Sequence, residues 1–205
     1  MRKGPGHLFQ LAHFILALMT IETKGPIGRY ELGRILDLGG GSVRTLVDRM
    51  KDANLVTVEG KKGHILTEIG KKALQEINQT LIRLEKLEAA EKLTNKKFNI
   101  GCQARAISSK IGSGISLRDA AIAGGAKSGI IISLIYTGNG FILPTFEEKY
   151  LEKEFPELIQ SLLSKFNFQK EDGLIICGAD VVSEARLGAV TAVLSLFKSK
   201  NEIGN

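Results

Sequence analysis

Two glycine-rich runs are where this chain could handle a phosphate: "LGGGSVRT", from Leu38 to Thr45, and "AGGAKSG", from Ala123 to Gly129. A phosphate-wrapping loop of the GxxxxGK[ST] type needs its lysine and Ser/Thr directly after the last glycine, so that backbone N–H groups and the ammonium enclose the anion. The first run has no lysine there, and no buried strand precedes it. The second offers Lys127-Ser128, but alanine stands at positions 126 and 121, where the pattern requires glycine. The expectation for it is a glycine bend packed against a sheet.

Other chemistry is thinly supplied. Cys102 and Cys177 are the only cysteines, both flanked by apolar strand-like residues ("NIGCQAR", "LIICGAD"). Buried structural thiols are expected, with no disulfide framework and a reducing cytoplasm as the setting. His7, His13 and His64 are scattered without metal-ligand spacing, so no metal or other cofactor is expected. Asp180, Glu184 and Arg186 fall after a strand and at a helix start, a position that suits ligand contact and helix capping equally. Arg105, Arg118 and Lys127, with Asp180, form the candidate set for a small anionic effector; surface salt bridges are the alternative for them. No paired catalytic residues stand out, and the chain reads as a non-enzyme.

Charge points elsewhere. Of the formal net charge of +6, most lies in the first half: residues 1–96 hold 16 Lys and Arg against 11 Asp and Glu, whereas residues 97–205 hold 12 against 11. A polyanion-binding surface is therefore sought in the first half. Its opening has a basic start followed by apolar residues, as a signal peptide does, but Gln10 and His13 interrupt the run and no small-residue cleavage site follows. Leu8, Leu11, Ile15, Leu18 and Met19 recur at helical spacing instead. No apolar run approaches the ~20 residues of a membrane span.

The elements expected next are a helix from about Gly28 to Asp37, its apolar side carrying Tyr30 or Glu31, Ile35 and Leu36, and a helix N-capped by Ser42. In the latter, Val43, Leu46, Val47 and Met50 make one apolar stripe, with Arg44, Thr45, Asp48, Arg49 and Asp52 outside. A hairpin follows, Leu55–Glu59 and His64–Leu66 about the turn Gly60-Lys61-Lys62-Gly63. Thr67-Glu68 starts a long helix to about Leu93, in which Leu74, Ile77, Leu81 and Leu84 step like a coiled coil and predict a homodimer. Two helices joined by a tight turn and followed by a basic hairpin make a winged helix-turn-helix, the glycine triplet supplying positive φ for the reversal.

The stretch "GGGSVRTLVDRMKDANLVTVEGKKGHILTEIGKKAL" resembles the recognition helix, wing and following helix of winged-helix transcriptional regulators of bacteria and archaea. The layout is similar to archaeal regulators that carry an uncharacterised C-terminal domain. The resemblance covers roughly Pro26 to Leu74 and implies a partner in double-stranded DNA. A recognition helix offers the amino-terminal part of its outer face to the major groove. Arg44 suits base reading through its planar fork, Ser42 and Thr45 suit base or phosphate contacts, and Arg49, Lys61 and Lys62 suit the backbone.

After Lys97 the composition shifts to Gly, Ala and Ile. Strand Phe98–Ala106, a helix near Leu117–Gly124, two strands about Thr137–Gly140, a helix Glu147–Phe166 broken near Pro156, strand "GLIICGAD" and a helix Glu184–Phe197 follow. That order, βαββαβ plus a helix, predicts a ferredoxin-like α+β domain. The whole is expected to be α+β: a winged helix with a connecting dimerisation helix over 1–94, and an effector-sensing or dimerising domain over 95–205. It would read a pseudo-palindromic operator as a homodimer. The alternatives are an enzyme with an accessory DNA-binding domain and a winged helix used for protein contact.

Overall fold

A computed structural model describes residues 10–112, 114–147 and 149–197. Leu8 of the first expected stripe, and His7, lie outside them. The chain is α+β, helices first and a sheet-rich region after, and divides into two compact units, Met1–Asn78 and Gln79–Asn205.

The first unit contains α1 (Leu11–Lys24), α2 (Arg29–Leu36), α3 (Gly40–Asp52), the strands β1 (Val56–Glu59) and β2 (Gly63–Leu66), and most of α4 (Glu68–Thr80). Helix α1 is enclosed on more of its circumference than one stripe requires. Ala12, Ile15, Leu16, Ala17, Leu18 and Ile21 are all buried, while Leu11 of the expected stripe is 63% exposed. In α2 the buried side is Leu32, Gly33 and Leu36; Tyr30 and Glu31, expected on that side, face outward. Gly33 is what lets α3 approach, since a Cβ there would press on Val43.

The turn between α2 and α3 departs from expectation in its mechanism. Its left-handed residue is Asp37, the C-cap of α2, at φ 55°. The glycines have ordinary dihedrals: Gly39 is the N-cap of α3 at φ −61°, and Gly40 and Gly41 form its first turn, so Ser42 is inside the helix rather than its cap. The stripe Val43, Leu46, Val47 and Met50 is almost completely buried, each side chain contributing about 1.5–3 kcal/mol by leaving water.

The hairpin pairs Val56 with Leu66 through Glu59 with Gly63 around Gly60-Lys61-Lys62. Its inner edge is extended by an antiparallel bridge in which Ile27 and His64 exchange backbone hydrogen bonds. Gly63 permits this: its φ is 132°, and a Cβ would strike the Ile27 carbonyl. Thr67 caps α4, its hydroxyl accepting from the Gly70 N–H at 3.0 Å.

Helix α4 ends at Thr80, not near Leu93. Leu81–Lys86 is strand β3, and the expected leucine ladder is divided: Leu74 is buried within the first unit, Ile77 is half-buried on α4, and Leu81 and Leu84 belong to a sheet. The run Ile82-Arg83-Leu84-Glu85 alternates as well as it steps, and pairing with a neighbouring strand satisfies its backbone while burying Leu81. The boundary between units accordingly falls at Asn78/Gln79 rather than Thr94/Asn95.

The second unit adds α5 (Glu91–Thr94), β4 (Phe98–Ala104), α6 (Ile115–Ala123), β5 (Ile130–Tyr136), β6 (Phe141–Ile142), α7 (Tyr150–Glu154), α8 (Pro156–Lys165), β7 (Gly173–Ala179) and α9 (Val182–Ser195). Pro156 at the first position of α8 divides the expected long helix. The sheet order is β3-β4-β7-β5-β6, every neighbour antiparallel. A ferredoxin-like sheet would place β4 beside β6. Here β7 lies between β4 and β5, so the element order from β4 onward is the expected one and the strand order is not. Leu134, Leu174 and Ile176 pack with Leu151, Leu158, Leu162 and Phe166 on one face. Cys177 on the other face meets Gly188 of α9 so closely that a Cβ would clash.

Candidate nucleic-acid interface

Helix α3 offers two features at its amino end. The first is its exposed side: Arg44, Thr45, Asp48 and Arg49 are all solvent-facing because Val43, Leu46, Val47 and Met50 anchor the opposite side. Arg44 Nε lies 3.7 Å from Asp48 Oδ2, one turn on, a pairing that orients the guanidinium while leaving its side chain 72% exposed. Thr45 donates its hydroxyl proton to the Gly41 carbonyl at 3.0 Å, which leaves the oxygen's lone pairs facing out. Ser42 is half-buried beside them.

The second feature is the bare end itself. The first N–H to close a bond in α3 is that of Val43, to the Gly39 carbonyl at 3.0 Å. The preceding N–H groups of the first turn point out of the helix end, where the dipole favours negative charge. No side chain caps them, and a Cβ added at Gly39, Gly40 or Gly41 would meet nothing within 4 Å. A phosphate has unobstructed access to the backbone there.

At the hairpin tip Lys61 and Lys62 are exposed, Lys62 Nζ resting 3.1 Å from Glu59 Oε1. Buried His64 ties the hairpin to the segment before α2, its Nδ1 3.2 Å from the Ile27 carbonyl; as the carbonyl only accepts, Nδ1 carries the proton. Nε2 is buried with no hydrogen-bond partner. Burial foremost, with the cations of Lys51 and Arg29, holds this imidazole below the ordinary 6.5, against the raising effects of Ile27 and Asp48.

The expected effector set is divided: the Asp180 N–H donates to the hydroxyl of Ser128, the residue after Lys127, at 3.1 Å, whereas Arg105 lies at the other end of β7. Arg105 Nη1 donates to the fully buried Asp172 at 2.7 Å, just before β7. Asp180, just after β7, is held by Lys96 at 2.9 Å. The whole of β7 separates the two residues, eight steps of extended chain from Asp172 to Asp180 or about 26 Å at ~3.3 Å per step. Arg118 and Lys127 are exposed on and after α6. Sequence reasoning missed Asp172, which also accepts from Gln103 Nε2 at 3.0 Å and the Gln169 N–H at 2.9 Å. It missed as well the Ser128 hydroxyl, which donates to Glu184 at 2.5 Å. Nothing in their local sequence marks either, because the side-chain partners Gln103, Arg105 and Glu184 come from distant segments.

Cys102 and Cys177 are buried and free. Burial pushes both thiols up, that of Cys177 to about 12 with help from the Glu184 charge, which removes the thiolate a nucleophile needs. Among the described residues, no three His, Cys, Asp or Glu side chains form a group suited to a metal ion, and no helix is long and apolar enough to cross a membrane.

Residues 95–196 match a family described as a domain of unknown function (DUF4443), and residues 14–72 match the PH0730-like, N-terminal domain. The fold is shared with the hypothetical protein PH0730 from Pyrococcus horikoshii OT3, an archaeal protein 24% identical over 95% of each chain, at a TM-score of 0.71. No curated protein matches the chain significantly. The two matched segments leave 73–94 between them, the stretch that contains β3.

Proposed function

We propose that this protein is a DNA-binding transcriptional regulator whose first unit is a winged helix-turn-helix. Helices α2 and α3 with the Asp37 turn form the helix-turn-helix, β1 and β2 form the wing, and the Ile27–His64 bridge fixes the wing to the chain entering α2. The observation that carries the reading is α3: one face wholly anchored, the other exposed with Arg44, Thr45 and Arg49, and an uncapped glycine end open to phosphate.

In this reading α3 enters the major groove. Arg44 reads guanine through its two parallel donors, Ser42 and Thr45 contact bases or phosphates, and Arg49, Lys61, Lys62 and the Gly40–Ser42 backbone hold the phosphates. Asp48 and Asp52 work against indiscriminate adhesion, since a misplaced phosphate meets a carboxylate. A single such helix reads a short half-site, so two copies related by a two-fold axis read a pseudo-palindrome. The second unit serves to join protomers or to receive an effector.

Fluorescence anisotropy with a labelled duplex pool at several salt concentrations tests this. With four phosphates engaged, the slope of log K against log salt is near −3.6, so affinity drops about 150-fold between 50 and 200 mM. Absence of binding at low salt, or binding indifferent to salt, would refute the proposal.

A further inference from the structure

The two edges of the five-stranded sheet are finished differently. At one edge β6 is two residues long, the Phe141 N–H is taken by Glu152 of α7, and Pro144 follows. At the other, β3 runs for six residues, with a bulge between Leu81 and Arg83 and regular pairing from Arg83 onward. Its inward groups are identified by Leu87, whose N–H donates to the Asn99 carbonyl on β4 at 2.9 Å. Backbone direction alternates along a strand, so Arg83 and Glu85 also point their polar groups to β4, while those of Leu84 and Lys86 point away. The Lys86 carbonyl accepts from Lys165 Nζ at 2.5 Å, as an outward group would. Leu84 retains an outward N–H and C=O, the template for another strand.

The side chains of this edge are complementary to themselves. Arg83 and Glu85 lie one residue to either side of Leu84, on the face of Gln103 and Gly101, and form an exposed pair at 2.8 Å. An antiparallel second copy centred on Leu84 sets Arg83 opposite Glu85 twice over, within the regular stretch from Arg83 to Lys86 that follows the bulge at Ile82. Centring on Arg83 or Glu85 would instead set like charges face to face. The backbone phase is compatible with this centre, because Leu84 has outward groups and can exchange both hydrogen bonds with its own copy.

We infer that β3 is the self-association edge of this protein: two copies pair antiparallel about Leu84, joining their sheets into one of ten strands. The inference does not depend on the DNA-binding reading, although it would supply that reading's two-fold axis. It replaces the helical leucine ladder expected from the sequence.

Sedimentation equilibrium of the full chain without DNA tests it. The wild type should have twice the chain mass. Leu84→Pro should have the chain mass, with circular dichroism unchanged, because the lost N–H faces away from β4 and an edge tolerates proline. Should that variant misfold, charge decides: Arg83→Glu places carboxylates opposite each other and weakens the dimer about tenfold. The exchange Arg83→Glu with Glu85→Arg restores it, being self-complementary again. A wild-type chain that is monomeric throughout, or a dimer indifferent to both charge variants, would overturn the inference. Loss of DNA binding in a chain that still dimerises bears only on the regulator reading.

Discussion

Replacing Gly40 and Gly41 together by alanine separates what the fold requires of α3 from what a ligand requires. Neither residue has positive φ, both are helical, and an added Cβ at either meets nothing within 4 Å. Alanine should therefore stabilise, by about 0.4–1 kcal/mol at each position through reduced freedom of the unfolded chain. The pair sums to about 0.8–2 kcal/mol, which for a unit of this size raises Tm by about 3–16 °C. The same change at Gly63 should do the reverse, as φ is 132° and the new methyl would strike Ile27. Thermal melts followed by circular dichroism measure both. The glycines persist, on this account, because a phosphate must approach the bare helix end. Two methyl groups there should weaken duplex binding about tenfold, the loss of one charge-assisted hydrogen bond. A double variant that is no more stable would refute the steric reasoning. One that is more stable and binds DNA as well as the wild type would refute the role assigned to the glycines.

Asp172→Ala should destabilise by about 3 kcal/mol or more, because it strands Gln103 and Arg105 around an empty buried acceptor; urea denaturation reads this as a lower midpoint at unchanged slope. For His64 the sign follows from burial. The folded imidazole lies below its unfolded value near 6.5, so the unfolded chain binds the extra proton and stability falls as pH drops below that value. His64→Gln should flatten that part of the pH–stability profile, although His13, also lowered by burial, leaves a residual dependence of the same sign. Chemical denaturation at a series of pH values from 5 to 8 measures the difference.

The legible parts of the fold were those set by short-range chemistry. The four buried positions of α3, the Gly60–Gly63 turn, the Thr67 cap and the Pro156 break each follow from residues within one or two turns of chain. Strand β3 was not legible because six residues cannot separate alternation from helical stepping; the outcome was decided by β4, some 15 residues away. The strand order was hidden for a related reason. β7 inserts between β4 and β5 through pairings as distant in sequence as Phe98 with Ala179 and Ile135 with Gly173, and no local pattern records them. The apolar character of Leu81 and Leu84 is plain in the sequence, but it fits a strand face as well as a helix stripe. The effector candidates show the same limit: Arg105, paired with Asp172, and Asp180, paired with Lys96, lie at opposite ends of β7. The glycine triplet does not supply the left-handed turn residue expected of it: Asp37 makes the turn, and the glycines open α3.

Selection of bound sequences from a random duplex pool, run in parallel with wild type, Arg44→Ala and Lys61→Ala, reaches the central claim most directly. The wild type should enrich a motif, and Arg44→Ala should lose discrimination at one guanine, about 1–3 kcal/mol. Lys61→Ala should retain the motif at uniformly lower affinity. An Arg44→Ala motif identical to that of the wild type, or no enrichment with either protein, would contradict it.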